Sequence, residues 1–445
     1  MKYYSTNKKA PEVSLSEAVI KGLAPDRGLY MPRKIPTIPV KMIENMKNQS
    51  FQEIACVVAN AFFSEDIPKD ELEKIVQDTL NFPTPIIEVE KNIYSLELFH
   101  GPTLAFKDVG GRFMARLLSY FIKSKNQSDE VNVLVATSGD TGSAVANGFL
   151  DVPGIHVYVL YPKGKVSPIQ ESQFTTLGHN ITAIEVDGVF DDCQELVKQA
   201  FMDNELNAHM KLTSANSINI ARFLPQSFYY FNAYAQLAKL GKEKDIIISV
   251  PSGNFGNITA GLFAWWMGLP VKHFIAANNS NDIFYNYLKT GIYIPKASVS
   301  TIANAMDVGD PSNFARIIDL FKHCAGNTYK NICNMVSGFR YSNQQIADTM
   351  QKLYKTSGYI LDPHGACGYQ ALKDFQAKRF NKNDGVGLFL ETAHPAKFKY
   401  TVDNILNSDI IIPEKLKLFM GGKKKVISMP NDFADFKLYL MSNHN

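Results

Sequence analysis

The chain has 445 residues, 45% of them hydrophobic and 11% aromatic, enough apolar material for two or three domain cores. Its 46 basic and 43 acidic residues leave a formal net charge of +3, and no basic block exceeds Lys423–Lys425, so neither nucleic acid nor an anionic membrane is an expected partner. Five scattered cysteines (Cys56, Cys193, Cys324, Cys333, Cys367) without CxxC spacing argue against a disulfide frame and for a reducing compartment, and His364 with Cys367 is too small a set for a metal, so no metal is expected.

The first residues, MKYYSTNKKAPEVS, are polar and lack the apolar core of a secretory signal. The longest apolar run, Leu262 to Leu269, falls short of the roughly 18–20 residues a spanning helix needs. A cytoplasmic protein without a membrane segment is the expectation.

Residues 1–85 read as a compact N-terminal unit. SLSEAVIKGL is an amphipathic helix opened by a serine cap, Gly28 and Pro32 mark the turn after it, and FQEIACVVANAFF and KDELEKIVQDTLNF are two further helices. No chemistry is evident there, and a structural cap is the expected role. Next comes HGPTLAFKDVGGRFMARLL, in which a small-residue turn leads into an apolar-periodic run with Leu104, Phe106, Val109, Phe113 and Leu117 facing inward. Lys107 thus falls near a helix N-terminus, where the partial positive charge and apolar neighbours disfavour ammonium, as a Schiff-base lysine requires.

From about residue 130 strand, loop and helix alternate. VNVLVA, HVYVLYP, ITAIEV, DIIISV, VKHFIAA and VGLFLE are short β-rich apolar runs, separated by helical segments such as FDDCQELVKQAFM, SFYYFNAYAQLAKLG, GNITAGLFAWWMG and GYQALKDFQAK. Strands apolar on both faces that alternate with helices imply an α/β fold with a doubly wound, mostly parallel sheet. The stretch 281–342 fits poorly, with a helix expected to begin at Asp310-Pro311, aspartate as cap and proline at the first helical position.

In such sheets ligands bind outside the carboxyl ends of the strands, so the loops there are the place to look for chemistry. SGNFGN follows DIIISV and opens a helix. Gly253, Asn254, Phe255, Gly256 and Asn257 would let backbone N–H groups converge on one phosphate, without the Gly-Lys-Ser/Thr ending of a nucleotide P-loop. TSGDTG follows VNVLVA; Ser138, Thr141 and the local N–H groups suit a carboxylate, and Asp140 or Thr141 could cap the helix. SANSINIAR offers Asn216, Ser217 and Asn219 on a turn, with Arg222 one turn further as an oxyanion clamp. ETAHPAKF follows VGLFL, placing the hydroxyl of Thr392 at a strand end, with His394 read as a turn residue. No Ser-His-Asp order or HExxH helix competes.

HGPTLAFKD and GNFGN together, with APDRGLYMP (Ala24 to Pro32), ATSGDTGSA, NSINIAR and ETAHPAKF, resemble the threonine synthase family over essentially the whole length. The resemblance implies a pyridoxal-phosphate enzyme of the tryptophan-synthase-β-like fold, with two α/β subdomains over residues 86–420, the N-terminal unit 1–85, and a tail 421–445. It implies that Lys107 carries the cofactor, that Gly253 to Asn257 hold its phosphate, and that Thr392 sits at the ring nitrogen. More loosely, it assigns Ser138, Asp140, Thr141, Asn216, Ser217, Asn219 and Arg222 to substrate. The implied reaction converts O-phospho-L-homoserine and water into L-threonine and phosphate. The alternatives are a phospho-lyase or dehydratase releasing a 2-oxo acid, and a non-catalytic relative; monomer and homodimer both stay open.

Overall fold

The computed structural model describes residues 1–124, 130–378 and 385–442; residues 443–445, the end of the expected tail, lie outside the described residues, as do 125–129 and 379–384. The chain divides into two compact units. One comprises residues 1–33, 107–222 and 412–445, the other residues 34–106 and 223–411.

The first unit holds a five-stranded parallel sheet in the order Ile427–Pro430, Ile181–Asp187, Ile155–Pro162, Val131–Ala136, Lys211–Ser214. Val131–Ala136 is buried along its whole length, as a strand covered by helices on both faces must be. The helices Lys107–Ser124 and Asp140–Phe149 approach closely: a Cβ on Gly111 would lie 2.7 Å from the Ala144 carbonyl oxygen, and one on Gly148 would lie 3.0 Å from the Gly111 carbonyl carbon. Helix Phe190–Met202 coincides with the expected FDDCQELVKQAFM. Near the N-terminus, Leu15–Lys21 is opened by a capping box between Ser14 and Glu17. A small antiparallel sheet, Val13–Ser14, Lys2–Ser5 and Tyr30–Pro32, accompanies this helix and was not foreseen. Nor was the last strand, Ile427–Pro430. It is mostly exposed and pairs only with Ile181–Asp187, so its four residues carry little apolar signal.

The second unit holds a six-stranded sheet in the order Val336–Arg340, Val271–Asn278, Ile246–Pro251, Gly387–Glu391, Ile93–Glu97, Ile86–Glu90. All neighbours are parallel except the last pair. The expected helices appear at Phe51–Phe63, Lys69–Thr79, Ser227–Lys239, Gly256–Trp266 and Pro363–Lys378. The helix expected from Asp310 starts later, at Phe314–Lys322, with Asn313 as its cap residue. The reason is local: the Ser312 N–H donates to Asn254 Oδ1 (2.7 Å) and Asn313 Nδ2 donates to the Asn254 carbonyl (3.0 Å), so residues 312–313 serve the SGNFGN loop before the helix begins.

Candidate active site

Three of the motif loops leave adjacent parallel strands of the six-stranded sheet, all at the carboxyl edge. SGNFGN follows Ile246–Pro251, ETAHPAKF follows Gly387–Glu391, and HGPTLAFK follows Ile93–Glu97. Beyond the sheet the last two remain paired: the N–H of Leu98 donates to the Glu391 carbonyl (3.0 Å), that of Phe106 to the Thr392 carbonyl (2.9 Å), and that of His394 to the Leu104 carbonyl (3.0 Å), around an Ala105–Ala393 bridge. Leu104 turns this segment with φ +57°, a conformation a γ-branched residue adopts only at a cost. Buried Lys397 donates to the Thr103 carbonyl at the same turn (2.9 Å). The next residue after Phe106 is Lys107, the first residue of its helix and half-buried.

The SGNFGN loop has the features of an anion cradle. Phe255 has φ +60° and precedes Gly256–Trp266 without a side-chain cap, so the first N–H groups of the helix are left for a ligand. A Cβ on Gly253 would lie 2.7 Å from Met306 Cα and 2.9 Å from the Ala305 carbonyl, so only glycine lets the loop lie against that backbone. Asn257 accepts from the hydroxyls of Tyr229 and Tyr230 (both 2.7 Å), which orients its amide; Nδ2 is buried with no hydrogen-bond partner among the described residues. A buried orphan donor costs about 1–3 kcal/mol, and a phosphate oxygen is the acceptor that would satisfy it. The donor set thus fits a phosphate-bearing cofactor. Tyr229, Tyr230 and Asn313 support the loops from outside any recognisable motif, whereas Lys397 belongs to ETAHPAKF itself. Of the former, only the aromatic pair in SFYYF offered a signal, and that reads as core.

Thr392 is 6% exposed, with Glu391 and Asp362 buried beside it. Burial, followed by the charges of Asp362 and Glu97, pushes the Glu391 carboxyl well above the usual carboxylate range. His394 accepts from the Ala396 N–H through Nδ1 (3.1 Å) and so caps the following turn, as expected. Burial, with His100 adding to it, holds its imidazole down at about 4. His364 and Cys367 do not face a common ligand: His364 Nδ1 bonds Asp362, and the Cys367 thiol faces the Pro363 carbonyl.

The first unit brings the remaining motif residues to two adjacent strand ends, those of Val131–Ala136 and Lys211–Ser214. The cap of the TSGDTG helix is neither Asp140 nor Thr141. Thr137 Oγ1 accepts from the N–H groups of Gly139 (2.9 Å) and Gly142 (2.8 Å), so a hydroxyl from before the helix fills that role. Asp140 is buried and accepts from Gln170 Nε2 (2.8 Å), whereas Ser138 and Thr141 are half-buried. Asn216 ties the two loops together, accepting from the Ala136 N–H (3.4 Å) and donating to its carbonyl (3.0 Å). Asn219 is fully buried and spends its amide on the carbonyls of Val19 (2.9 Å) and Ser214 (3.0 Å) and on the Ala221 N–H (3.0 Å). Its geometry is that of a turn-shaping residue. Ser217 is half-buried on the turn. Arg222 is 1% exposed and lies against the Lys107–Ser124 helix, where a Cβ on Gly110 would fall 2.3 Å from its carbonyl oxygen. Burial pulls its guanidinium down to about 10, opposed by the Asp108 carboxylate.

A cavity of about 530 Å³ among Asn279, Asp282, Tyr285, Arg340, Tyr341 and Lys378 lies at the ends of Val271–Asn278 and Val336–Arg340 and contains none of the motif residues.

The family model for pyridoxal-phosphate dependent enzymes matches residues 78–391, and those for the threonine synthase N terminus and C-terminal region match residues 2–80 and 365–439. Threonine synthases of Haemophilus influenzae and Escherichia coli are 44% and 43% identical, each alignment covering 100% of both chains. This chain belongs to the threonine synthase family. The crystal structure of the Escherichia coli enzyme superposes with a TM-score of 0.92 at 43% identity, covering 100% of both chains. The pyridoxal-phosphate-bound enzyme of Brucella melitensis superposes at 0.90 with 33% identity, again over 100% of both. The fold is therefore that of family members, two mostly parallel α/β units, and the cofactor is pyridoxal phosphate. No helix among the described residues is long and apolar enough to cross a membrane.

Proposed function

We propose that this chain converts O-phospho-L-homoserine and water into L-threonine and inorganic phosphate, acting as a carbon–oxygen lyase on a phosphate ester. The observation that carries the reading is the three motif loops at the carboxyl ends of adjacent parallel strands, one of which leads directly into Lys107. Bound pyridoxal phosphate supplies an electron sink for carbanion character next to the substrate amine.

In this reading Lys107 holds the cofactor and, once released, moves the proton at the substrate Cα. Gly253, Asn254, Phe255, Gly256 and Asn257 hold the cofactor phosphate with backbone N–H groups and the orphan amide of Asn257. Thr392 offers the ring nitrogen a neutral hydroxyl, which leaves that nitrogen uncharged. Ser138 and Thr141 receive the substrate carboxylate on a turn that Asp140 anchors through Gln170. Ser217 and Arg222 stabilise the departing phosphate on a turn shaped by Asn216 and Asn219. Residues 1–85, 86–420 and 421–445 are proposed as N-terminal unit, catalytic body and tail. The enzyme is proposed to act in the cytoplasm, as a monomer or homodimer.

Phosphate release coupled to identification of the amino-acid product tests the reading. Threonine is the expected main product. A 2-oxo acid with ammonia would replace it with the lyase alternative, in which the same cofactor chemistry ends in elimination without addition of water at Cβ.

A further inference from the structure

Beside Thr392 lies a chain of buried polar groups within one unit. Asp362 Oδ2 accepts from the N–H of Ala393, the residue after Thr392 (3.2 Å). Asp362 Oδ1 accepts from the His364 N–H (2.6 Å) and from His364 Nδ1 (2.5 Å). His364 Nε2 accepts from the Ala305 N–H (3.1 Å), which fixes the tautomer with its proton on Nδ1. Ala305 and Met306 form the backbone that leaves no room for a side chain on Gly253. Asp362 and His364 are 0% and 1% exposed. A second carboxyl, that of Glu391, accepts from the Asp362 N–H, and its space is made by Gly365, where a Cβ would fall 1.5 Å from Glu391 Oε2.

We propose that Asp362 and His364 are positioning residues for the cofactor: through Ala393 at one end and Ala305 at the other they hold the Thr392 backbone and the Gly253 loop in one register. The inference rests on the reading of those two elements as the ring-nitrogen and phosphate ends of the cofactor site. The physical argument is geometric. A planar ligand anchored at both ends binds well only if the two anchors keep their spacing, and buried hydrogen bonds are stiff because breaking one strands a donor in the interior. The imidazole suits this role. It is rigid, it has a donor and an acceptor on opposite sides of one ring, and here it uses both.

The test compares His364→Ala, His364→Gln, Asp362→Asn and, as a control on the same helix, Asp374→Asn, whose parent carboxylate bonds Tyr341 and Gln370 instead. Pyridoxal phosphate is titrated into each apoprotein and the dissociation constant is read beside the thermal midpoint of the apoprotein. His364→Ala and Asp362→Asn are expected to weaken cofactor binding by about tenfold or more, the effect of stranding one buried donor. Asp374→Asn is expected to stay within about twofold whatever it does to the midpoint. His364→Gln, which keeps both an acceptor and a donor, is expected to recover most of the loss. Cofactor affinity unchanged in both loss variants would overturn the proposal, as would equal losses in His364→Ala and His364→Gln. Should His364→Ala not fold, Asp362→Asn decides, and failure of both to fold would make the network a folding element only and overturn it. A wild-type apoprotein that takes up no pyridoxal phosphate would instead defeat the reading of the site, a distinct result.

Discussion

In the six-stranded sheet the motif loops are held by groups distant in sequence: Asn254 by the Ser312 N–H and the Asn313 side chain, Asn257 by two tyrosines, and the Thr103 turn by Lys397 of the ETAHPAKF loop. In the five-stranded sheet the corresponding loops are tied mostly by their own residues, through Thr137, Asn216 and Asn219, while Ser138, Thr141 and Ser217 stay half-buried. The difference matches what each loop set is proposed to hold. A resident cofactor calls for a site built in advance, whereas a substrate that enters and leaves on every turnover needs hydroxyls that water can reach.

The largest expected effect is that of Lys107→Ala, which removes the covalent anchor and the proton carrier together. Turnover, followed by phosphate release, is expected to fall by roughly 10⁴-fold or more, with loss of the lysine-bound cofactor absorbance. A variant that kept both would break the assignment of Lys107. Next comes Gly253→Ala. Its added Cβ meets backbone at 2.7 and 2.9 Å, which cannot step aside as a flexible side chain could. Overpacking of about 1–3 kcal/mol predicts cofactor binding weakened by about 5- to 150-fold, measured by equilibrium titration.

On the other sheet the pattern should invert. Thr137→Val keeps the volume but removes the hydroxyl that caps the N–H groups of Gly139 and Gly142. A stability loss of about 1–2 kcal/mol in denaturant unfolding is expected, with KM for the substrate raised and cofactor affinity nearly unaltered. Equal damage to KM and cofactor affinity would erase the distinction between the two loop sets. Smallest is a pH effect at His394. Its folded-state value, depressed from 6.5 to about 4, means that its contribution to stability is complete above 6.5 and is lost as pH falls toward 4. Asp307, raised by burial to about 6, acts with the opposite sign, so the readout is the difference between wild type and His394→Asn. That difference should shrink from pH 6.5 down to 4.

Much of this architecture is legible in the residues themselves. Continuous apolar runs such as VNVLVA and IIISVP became fully buried strands, because parallel strands under helices have no solvent face to mark with polar residues. Most strands not expected from the residues sit at sheet edges: VSGFR carries a glycine and an arginine in five residues, and ISMP is exposed at three of its four positions; an exception is Ile93–Glu97, an interior and largely buried strand whose run IYSLE holds a serine and a glutamate among its apolar residues. Of the site, the glycine- and hydroxyl-rich loops were visible because backbone geometry demands those residue types. The Asp362–His364 link was not. It joins residues about 60 and 30 positions apart from their partners Ala305 and Ala393, and nothing local in DPHGA distinguishes a buried relay from an ordinary helix cap. Arg222 was legible as a cation near a turn, but its burial beside Asp108 became evident only in the fold.

The central claim is that Lys107 carries the cofactor. Borohydride reduction of the purified, cofactor-loaded protein, followed by peptide mapping, tests it most directly. Pyridoxyl mass on the peptide containing Lys107, at close to one group per chain, is the predicted result; label on another lysine, or no label in a protein that releases threonine and phosphate, would contradict it.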